Sequence, residues 1–565
     1  MNILGINCFS HDTAACLLSD GKVVAFAEEE RFNRDKHTKA FPVSAIDYCL
    51  DAGNIDIRDV DIAAFAHQPG VDMGRAMVDI VRRLPGTWRR LLLQPAVDFN
   101  LYLRKPVFRV RQGFVGKLIF VGHHEAHAAA SFFASPFEEA AVLSIDRGGD
   151  YLSTWLGLGQ GNNLKPLSYV RQPHSIGEVY AAVTDYLGFR PNCDEGKVMG
   201  LAPYGDPIYV DKFNELIVTD NEGGFKVDLD YFTYHRKAGW CSRKFINEFG
   251  PKRLPTEEIG LRHQDIAAAV QATTERAALE LAGYLALKTA SKNICLAGGV
   301  ALNSCMNAKI LLKSGFNDIF IQPAAGDAGN ALGAAYYVWH TILGKPRMEP
   351  LKDAYLGPEF SDDQLVGAIK SAGLAYQRQE NVEQYCAAKI NEGKIVGWFQ
   401  GRAEAGPRAL GNRSILANAT RTDTKDIVNL KIKKRESFRP FAPAIQAEHA
   451  ADYIEDYYPS PFMLLVMDIK KSRRATVPSI THVDGTARLQ TVTKSSNPRY
   501  WGLIDEFRRL TGVPVVLNTS FNVMGEPIVS TPADAIRTFR ASGMDCLALG
   551  DYIIEKEPFA TKETI

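Results

Sequence analysis

The N-terminal part of the chain alternates apolar runs with short polar turns. The runs ILGINCF, TAACLLS and KVVAFAE are rich in strand-forming residues, and the turns between them contain Ser10-His11-Asp12 and Asp20-Gly21. An Asp-Gly pair between two apolar runs is a strong signal for a tight hairpin. The pattern therefore predicts strand, turn, strand, hairpin and strand.

A second copy of this pattern follows in AAVLSIDRGGDYLSTWLGLG. Two apolar runs again flank a polar turn, here predicted at Asp146-Arg147-Gly148-Gly149-Asp150. Two related β-turn-β units in one chain indicate an internally duplicated α/β domain.

Two further strands each run into a glycine-rich turn and then a helix. The first is SKNICLAGGVALNSCMNAKILL with Gly298-Gly299, and the second is DIFIQPAAGDAGNALGAAYY with Asp327 between glycines. Bare backbone N–H groups at such helix N-termini favour anionic ligands. Close packing between strand and helix also requires glycine, so each turn taken alone is weak evidence.

Composition places the chain among ordinary soluble proteins of several domains. It has 565 residues, 46% of them hydrophobic, and its 65 Lys+Arg balance 65 Asp+Glu. This balance disfavours nucleic-acid binding and an anionic membrane surface. The nine cysteines form no Cys-x-x-Cys motif, and we find no signal peptide or long apolar run, which predicts a cytoplasmic protein with reduced thiols.

The Pro- and Gly-punctuated stretch ILGKPRMEPLKDAYLGPEF predicts the domain boundaries. We expect a first domain over residues 1–345, a linker over 346–360 and a second domain over 361–565.

His123 and His127 in GHHEAH form a candidate metal site. Residues spaced by four share one helix face, so both imidazoles can bind one ion, and Asp146 and Asp327 in strand-end loops can complete the ligand set. The alternative is a surface helix that carries histidines without a ligand.

The second domain carries a basic run with few acids. Six of its cations are embedded among Gly, Pro and apolar residues, and these are Arg402, Arg408, Arg413, Lys433, Lys434 and Arg439. Guanidinium groups without acidic partners favour a polyphosphate or carbamoyl phosphate pocket, although a solvated basic face is the alternative. Arg488 lies beside threonines, and Asn518, Ser520 and Asn522 end a strand, where ligand contacts are common.

Three further features have open interpretations. His11 is a candidate general base, whereas a lone loop histidine is more often polar surface. Lys197 in CDEGKVMG either lines a cleft or forms a structural ion pair with an acid. The basic and aromatic segment over residues 82–112 would suit RNA or a membrane, but the neutral total charge favours an amphipathic insert.

Nine ordered motifs resemble the carbamoyltransferases of antibiotic and nodulation-factor biosynthesis, of the tobramycin carbamoyltransferase type. The motifs extend over nearly the whole chain, and they are GHHEAH, LSIDRGGD, CDEGKVMGLAPYG, LAGGVALN, PAAGDAGNALGAA, GRAEAGPRALGNRSIL, FRPFAP, DGTARLQTV and NTSFNVMGEPIV.

The resemblance implies a fold and a reaction. The first domain is expected to have the duplicated actin/Hsp70-like (Kae-one-like) ATPase fold, and the second a YrdC-like α/β fold. In this family ATP, with Mg²⁺, adenylates the carbamate released from carbamoyl phosphate. The carbamoyl group then passes from carbamoyladenylate to an acceptor, usually a natural-product hydroxyl, at a metal-containing site.

Residue roles carry over by motif. His123, His127, Asp327 and Asp146 are expected to hold iron(II), with another divalent metal as the alternative, and His11, Lys36 and Asp146 are expected to be catalytic. Gly298, Gly299, Asn303 and Lys197 are assigned to carbamoyladenylate. The residues assigned to ATP and carbamoyl phosphate are Arg408, Lys433, Arg439, Arg488, Asn518 and Ser520. The chain departs from the common DGxGD turn at Arg147.

Two other classes compete with a small-molecule O-carbamoyltransferase. One is an RNA-binding component of tRNA threonylcarbamoylation, which the neutral charge disfavours. The other is a non-catalytic assembly factor that keeps the ATPase-type fold. The sequence leaves open the acceptor, O- against N-carbamoylation and the oligomeric state, for which a homodimer is one candidate. We expect the acceptor contacts in loops near residues 70–115 and 206–260.

Overall fold

The computed structural model describes residues 1–8, 10–68, 113–236 and 239–556. The chain divides into two compact units. The first comprises Met1–Asn33 and His37–Leu351, and the second comprises Arg34–Lys36 and Lys352–Ile565. The basic and aromatic segment over residues 82–112 lies outside the described residues.

The first unit contains two five-stranded sheets and a two-stranded hairpin. Its strands are β1 Asn2–Asn7, β2 Ala14–Ser19, β3 Lys22–Glu28, β4 Ile62–Phe65, β5 Lys117–Phe120, β6 Glu139–Gly149, β7 Leu152–Gln160, β8 Asn163–Arg171, β9 Ile217–Thr219, β10 Phe225–Val227, β11 Asn293–Ala297 and β12 Asp318–Ile321. Its helices are Glu30–Asn33, Val43–Gly53, His123–Phe132, Ile176–Tyr186, Glu195–Leu201, Val210–Leu216, Arg243–Phe249, Leu261–Thr289, Ser304–Lys313 and Asn330–Tyr336.

The two large sheets share one topology. The first has the order β3-β2-β1-β4-β5 and the second the order β12-β11-β6-β7-β8, which is the same order read from the opposite edge. In each sheet the first strand pairs antiparallel with the hairpin strand and parallel with the later strand. The duplication predicted from the sequence is therefore confirmed, and this is the repeated α/β architecture of the actin/Hsp70-like ATPase fold.

The N-terminal strand predictions are correct, but one predicted turn is wrong. The sequence places the second turn at Asp146–Asp150, whereas β6 continues through Asp146 to Gly149 and the chain reverses at Asp150 and Tyr151. Both of these residues have positive φ, 48° and 66°, as a type I′ turn requires. Asp146 thus lies in an irregular strand end, which holds its carboxylate more firmly than a loop would.

The second unit is built on one mixed nine-stranded sheet in the order β13-β21-β20-β14-β15-β19-β16-β18-β17. Its strands are β13 Gln377–Arg378, β14 Val396–Phe399, β15 Arg413–Asn418, β16 Ala442–Gln446, β17 Leu465–Asp468, β18 Thr486–Val492, β19 Val515–Ser520, β20 Cys546–Leu549 and β21 Tyr552–Glu555. Its helices are Asp362–Ser371, Val382–Asn391, Thr424–Ile427, Lys471–Arg474, Pro498–Thr511 and Pro532–Ala541. Trp398, Tyr500 and Phe507 anchor a core between sheet and helices.

Among the described residues, no helix combines the length and the apolar character needed to cross a membrane.

Candidate functional site

The helix His123–Phe132 is the centre of the first-unit site. Its alanines favour helix and leave room for close neighbours. The backbone N–H of His123 donates to Asp150 Oδ2 at 2.8 Å, so Asp150 satisfies one of the free donors at the helix start. A Cβ at Gly333 would lie 1.9 Å from the carbonyl oxygen of Ala126. Glycine there lets the helix after the Asp327 turn pack directly against the histidine helix.

Four buried side chains converge, as the sequence predicts. The donor atoms of His123, His127, Asp146 and Asp327 all lie within 4.8 Å of one another. His123 Nε2 is 3.3 Å from Asp146 Oδ2 and 3.2 Å from His127 Nε2. Asp327 Oδ1 is 3.6 Å from the Nε2 atom of each histidine.

Neighbouring groups fix the two carboxylates. Asp146 Oδ1 accepts from the backbone N–H of Gly299 at 3.0 Å. Asp327 Oδ2 accepts from Ser10 Oγ at 3.1 Å. Gly298 has φ +87°, and a Cβ there would lie 2.2 Å from the carbonyl oxygen of Ile145. Glycine at this turn is thus a condition for bringing the Gly299 N–H to Asp146.

The donor set fits a divalent cation. Asp327 Oδ1 is buried, no described residue donates a hydrogen bond to it, and the Nε2 atoms of His123 and His127 both lie near it. Two imidazoles with two carboxylates are ligands typical of zinc or iron(II). Burial opposes the charge on Asp146, but the nearby histidines hold the pKa of that carboxyl well below its usual range.

His124 is not part of this set. Its Nδ1 lies 3.0 Å from Ser144 Oγ. Burial and the neighbouring imidazoles lower its pKa to about 3, so the ring is neutral near pH 7.

His11 lies beside the four-residue cluster. Its Nε2 is 3.9 Å from Asp327 Oδ2, and its Nδ1 is 2.8 Å from Asp12 Oδ2. Burial opposes the imidazolium, but Asp327, Asp12 and Asp146 together raise the pKa of His11 to about 9. These three carboxylates therefore favour the protonated form of His11.

The other residues assigned to carbamoyladenylate have structural partners. Asn303 caps the helix Ser304–Lys313 by accepting from the Met306 N–H at 3.1 Å, and its amide donates to Gln271 at 2.9 Å. Lys197 lies 3.2 Å from Asp194 and so forms a structural ion pair, although the sequence offered Glu195 as its partner. Lys36 belongs to the second unit.

The second unit concentrates buried cations. Lys433 Nζ donates to side-chain and backbone oxygens of Ser520 and Asn522, and no salt bridge to it is found in the described ranges. Burial, followed by Arg435, Arg439 and Lys36, lowers its pKa well below the usual lysine value. These charges repel one another in a buried setting, which favours an anionic ligand.

Arg408 is affected by Arg439, one of the cations that also act on Lys433. Burial and then Arg439 lower the pKa of its guanidinium. Arg439 lies 3.8 Å from Glu436, and the charge of Arg488 acts on buried His482. Arg439 thus acts on both Arg408 and Lys433, which come from separate motifs.

Asn518, assigned to ATP and carbamoyl phosphate, is buried and bonded to groups of the protein itself. Its amide donates to Ala409 O at 3.1 Å and to Gln490 Oε1 at 2.8 Å, and Gln490 in turn donates to Leu410 O. The pair therefore holds the loop that carries Arg408, a role that sequence reasoning missed because Gln490 resembles any other polar residue of a strand.

Two arginines of the basic run donate hydrogen bonds to the protein backbone. The fully buried guanidinium of Arg413 donates to backbone carbonyls, including those of Pro358 at 2.9 Å and Gly401 at 3.1 Å. Arg402 donates to the carbonyl of Leu356 at 2.7 Å. Backbone oxygens thus serve as acceptors where acids are absent, which favours a structural role for both arginines over the predicted phosphate binding.

The comparisons agree with this division of the chain. Residues 2–336 match the carbamoyltransferase N-terminus family and residues 387–556 match the carbamoyltransferase C-terminus family. The chain belongs to the carbamoyltransferase family, and its reaction class is carbamoyl transfer.

Relatives span nearly the full length. An uncharacterised protein sll1178 of Synechocystis is 41% identical over 98% of this chain and 97% of its own length. Nodulation protein NolNO of Sinorhizobium fredii is 39% identical, covering 97% of this chain and 80% of that protein. Nodulation protein U of Rhizobium fredii is 26% identical over 98% and 94%.

Solved structures are more distant. The (R)-2-hydroxyglutaryl-CoA dehydratase component A of Acidaminococcus fermentans covers 60% of this chain and 97% of its own at 16% identity and TM-score 0.32. HypF of T. kodakarensis covers 61% and 48% at 12% identity and TM-score 0.30.

Proposed function

We propose that this carbamoyltransferase uses ATP, with Mg²⁺, and carbamoyl phosphate to form carbamoyladenylate in the second unit. The first unit then transfers the carbamoyl group to a hydroxyl of a small-molecule natural product. The observation that carries this proposal is the contrast between a buried carboxylate and imidazole cluster in one unit and buried, acid-poor cations in the other.

In the second unit the cations hold phosphate oxygens. Arg439 repels both Lys433 and Arg408, and phosphate binding would relieve this repulsion. Carbamoyl phosphate loses inorganic phosphate, the carbamate oxygen attacks the α-phosphorus of ATP, and pyrophosphate leaves. A guanidinium can hold two phosphate oxygens at once, which fixes the geometry of this attack.

In the first unit His123, His127, Asp146 and Asp327 would hold the metal, which we propose is iron(II). When bound, such an ion supplies a Lewis acid and balances the charge of the two carboxylates. Its charge also opposes protonation of His11. The acceptor oxygen attacks the carbamoyl carbon, the bond to AMP breaks, and the hydroxyl proton moves to His11 Nε2, the nitrogen that faces Asp327.

Burial of this site serves the chemistry. Carbamoyladenylate decomposes in water, and side chains that are at least nine-tenths buried keep solvent from the reacting carbon.

Product analysis tests the proposal in two stages. Incubation with ATP, Mg²⁺ and carbamoyl phosphate should release pyrophosphate and inorganic phosphate. Addition of a panel of sugar-bearing acceptors should then yield AMP and a product heavier by one carbamoyl group by mass spectrometry. Pyrophosphate release that does not depend on carbamoyl phosphate would contradict the adenylation stage.

A further inference from the structure

We propose that Asp12 is the positioning residue of the transfer step, which orients His11 so that its Nε2 atom faces the reacting groups. This inference rests on the proposed function, since it concerns how the first unit handles the proton of the acceptor hydroxyl.

The hydrogen bonds of Asp12 define the orientation. Its Oδ2 atom lies 2.8 Å from His11 Nδ1, and its Oδ1 atom lies 2.7 Å from His37 Nδ1. A carboxylate only accepts hydrogen bonds, so each of these Nδ1 atoms carries a proton. The remaining ring nitrogen of His11, Nε2, is then the one that exchanges a proton, and it points to Asp327.

The backbone of this array is held in an unfavourable conformation. Asp12 and His37 both have positive φ, 56° and 58°. Residues other than glycine rarely adopt this conformation. Asn7 Nδ2 donates to the Asp12 carbonyl at 3.0 Å, and the His37 N–H donates to Glu30 Oε2 at 2.8 Å. Strain that is fixed from two sides in this way occurs where the surrounding structure enforces a geometry.

The left-handed turn also explains how neighbours in sequence can pair. Side chains of adjacent residues normally diverge, but the turn at Asp12 brings its carboxylate back to the ring of His11. His37 holds the second oxygen, so the carboxylate cannot rotate away without losing that bond. Asp12 thereby sets both the tautomer and the ring direction of His11.

The experiment replaces Asp12 by Asn, which also tolerates positive φ and therefore preserves the backbone. An amide can donate to a ring nitrogen and stabilise the wrong tautomer. Carbamoyladenylate is supplied directly, and AMP release is measured with water and with tobramycin, N-acetylglucosamine and glycerol as probe acceptors. We expect kcat to fall by about 10²- to 10⁴-fold with KM for carbamoyladenylate little changed.

A double-mutant cycle separates positioning from a merely structural role. In a His11→Asn background, adding Asp12→Asn should lower kcat by less than about threefold further. The two residues act together, so the first change already removes the function of the pair. Asp20→Asn is the matched control, since Asp20 also has positive φ, 47°, but pairs with the N-terminal amine. It should leave transfer and pyrophosphate release unchanged.

The outcomes are distinct. A wild-type protein that releases no AMP above the uncatalysed rate with any probe contradicts the proposed function itself. Wild-type transfer with an unaffected Asp12→Asn variant, or with losses that multiply in the double variant, overturns the role of Asp12. If Asp12→Asn proves poorly folded by circular dichroism, His37→Asn replaces it, with a smaller loss of kcat expected and an unchanged kcat counting against the proposal.

Discussion

The two candidate sites of this protein have opposite electrostatic characters. In the first unit Asp146 and Asp327 are buried beside two histidines, and Asp327 Oδ1 has no hydrogen-bond donor in the part of the chain that the structure describes. In the second unit Lys433 is buried without a salt bridge in the described ranges, and Arg408 and Arg439 add positive charge. The first site therefore favours a cation and the second an anion.

This contrast shows what a whole-chain charge conceals. The formal net charge is zero, yet the first unit buries two carboxylates beside two histidines and the second unit buries several cations. Burying charges of like sign close together is costly, and a ligand of opposite charge at either site would lower that cost. Net charge remains informative about long-range attraction to nucleic acid or membranes, but it says nothing about local ligand choice.

The largest effect is expected from His127→Ala, which should remove the metal. Transfer from supplied carbamoyladenylate should fall by at least about 10³-fold, since metal stabilisation contributes several kcal/mol and about 1.4 kcal/mol is a factor of ten. Pyrophosphate release should persist. Metal content and AMP release check this, with His124→Gln on the same helix as the control that keeps the metal. Equal loss of both activities in His127→Ala would show that the sites are not separate.

Arg413→Ala tests whether the basic run mixes two kinds of arginine. Its guanidinium satisfies several buried carbonyls, and each unsatisfied group costs about 1–3 kcal/mol. We expect the free energy of unfolding to fall by about 3 kcal/mol or more, as measured by urea denaturation. Arg421→Ala, an exposed control paired with Asp423, should leave it nearly unchanged. A stable Arg413→Ala protein that loses only pyrophosphate release would show that Arg413 binds the phosphate ligand instead.

Arg439→Ala should damage adenylation alone. A charge-assisted hydrogen bond contributes about 1.5–3 kcal/mol, so pyrophosphate release should fall by about 10- to 10²-fold. AMP release from supplied carbamoyladenylate should continue, because that intermediate has already passed the adenylation step in which Arg439 takes part. Lys434→Ala, at an exposed neighbouring position, is the matched control. Loss of transfer from the supplied intermediate would show that Arg439 acts in carbamoyl transfer as well as in adenylation.

The smallest effect concerns pH. Because burial lowers the pKa of Lys433, this amine loses its charge at a lower pH than an ordinary lysine. Pyrophosphate affinity should therefore fall with rising pH below the range in which an ordinary lysine, with a pKa of about 10.4, loses its charge. Lys433→Met should bind more weakly and show a smaller pH dependence. Metal binding should weaken in the opposite direction, on acidification, because protons compete for its ligands. Calorimetric titration of pyrophosphate gives the answer, and a flat wild-type profile would contradict a charged Lys433 in the pocket.

Local patterns were sufficient for much of the first unit. The hairpin at Asp20-Gly21, the glycine turn at Gly298 and the helix with His123 and His127 each depend on neighbours in sequence, so periodicity and turn chemistry predict them. The second hairpin turn was misplaced because the glycines of DRGGD resemble turn residues, whereas the register of β6 with β7 sets the reversal at Asp150 and Tyr151.

The sequence by itself determined the duplicated α/β organisation, the four metal-type donors and the cationic character of the second unit. The tertiary structure alone decided which side chains have partners. It gives Arg413 to backbone carbonyls and joins Asp12 to both His11 and His37. The physical reason is that a side chain's residue type fixes what it can donate or accept, while its partners come from distant segments that only the folded chain brings within hydrogen-bonding distance.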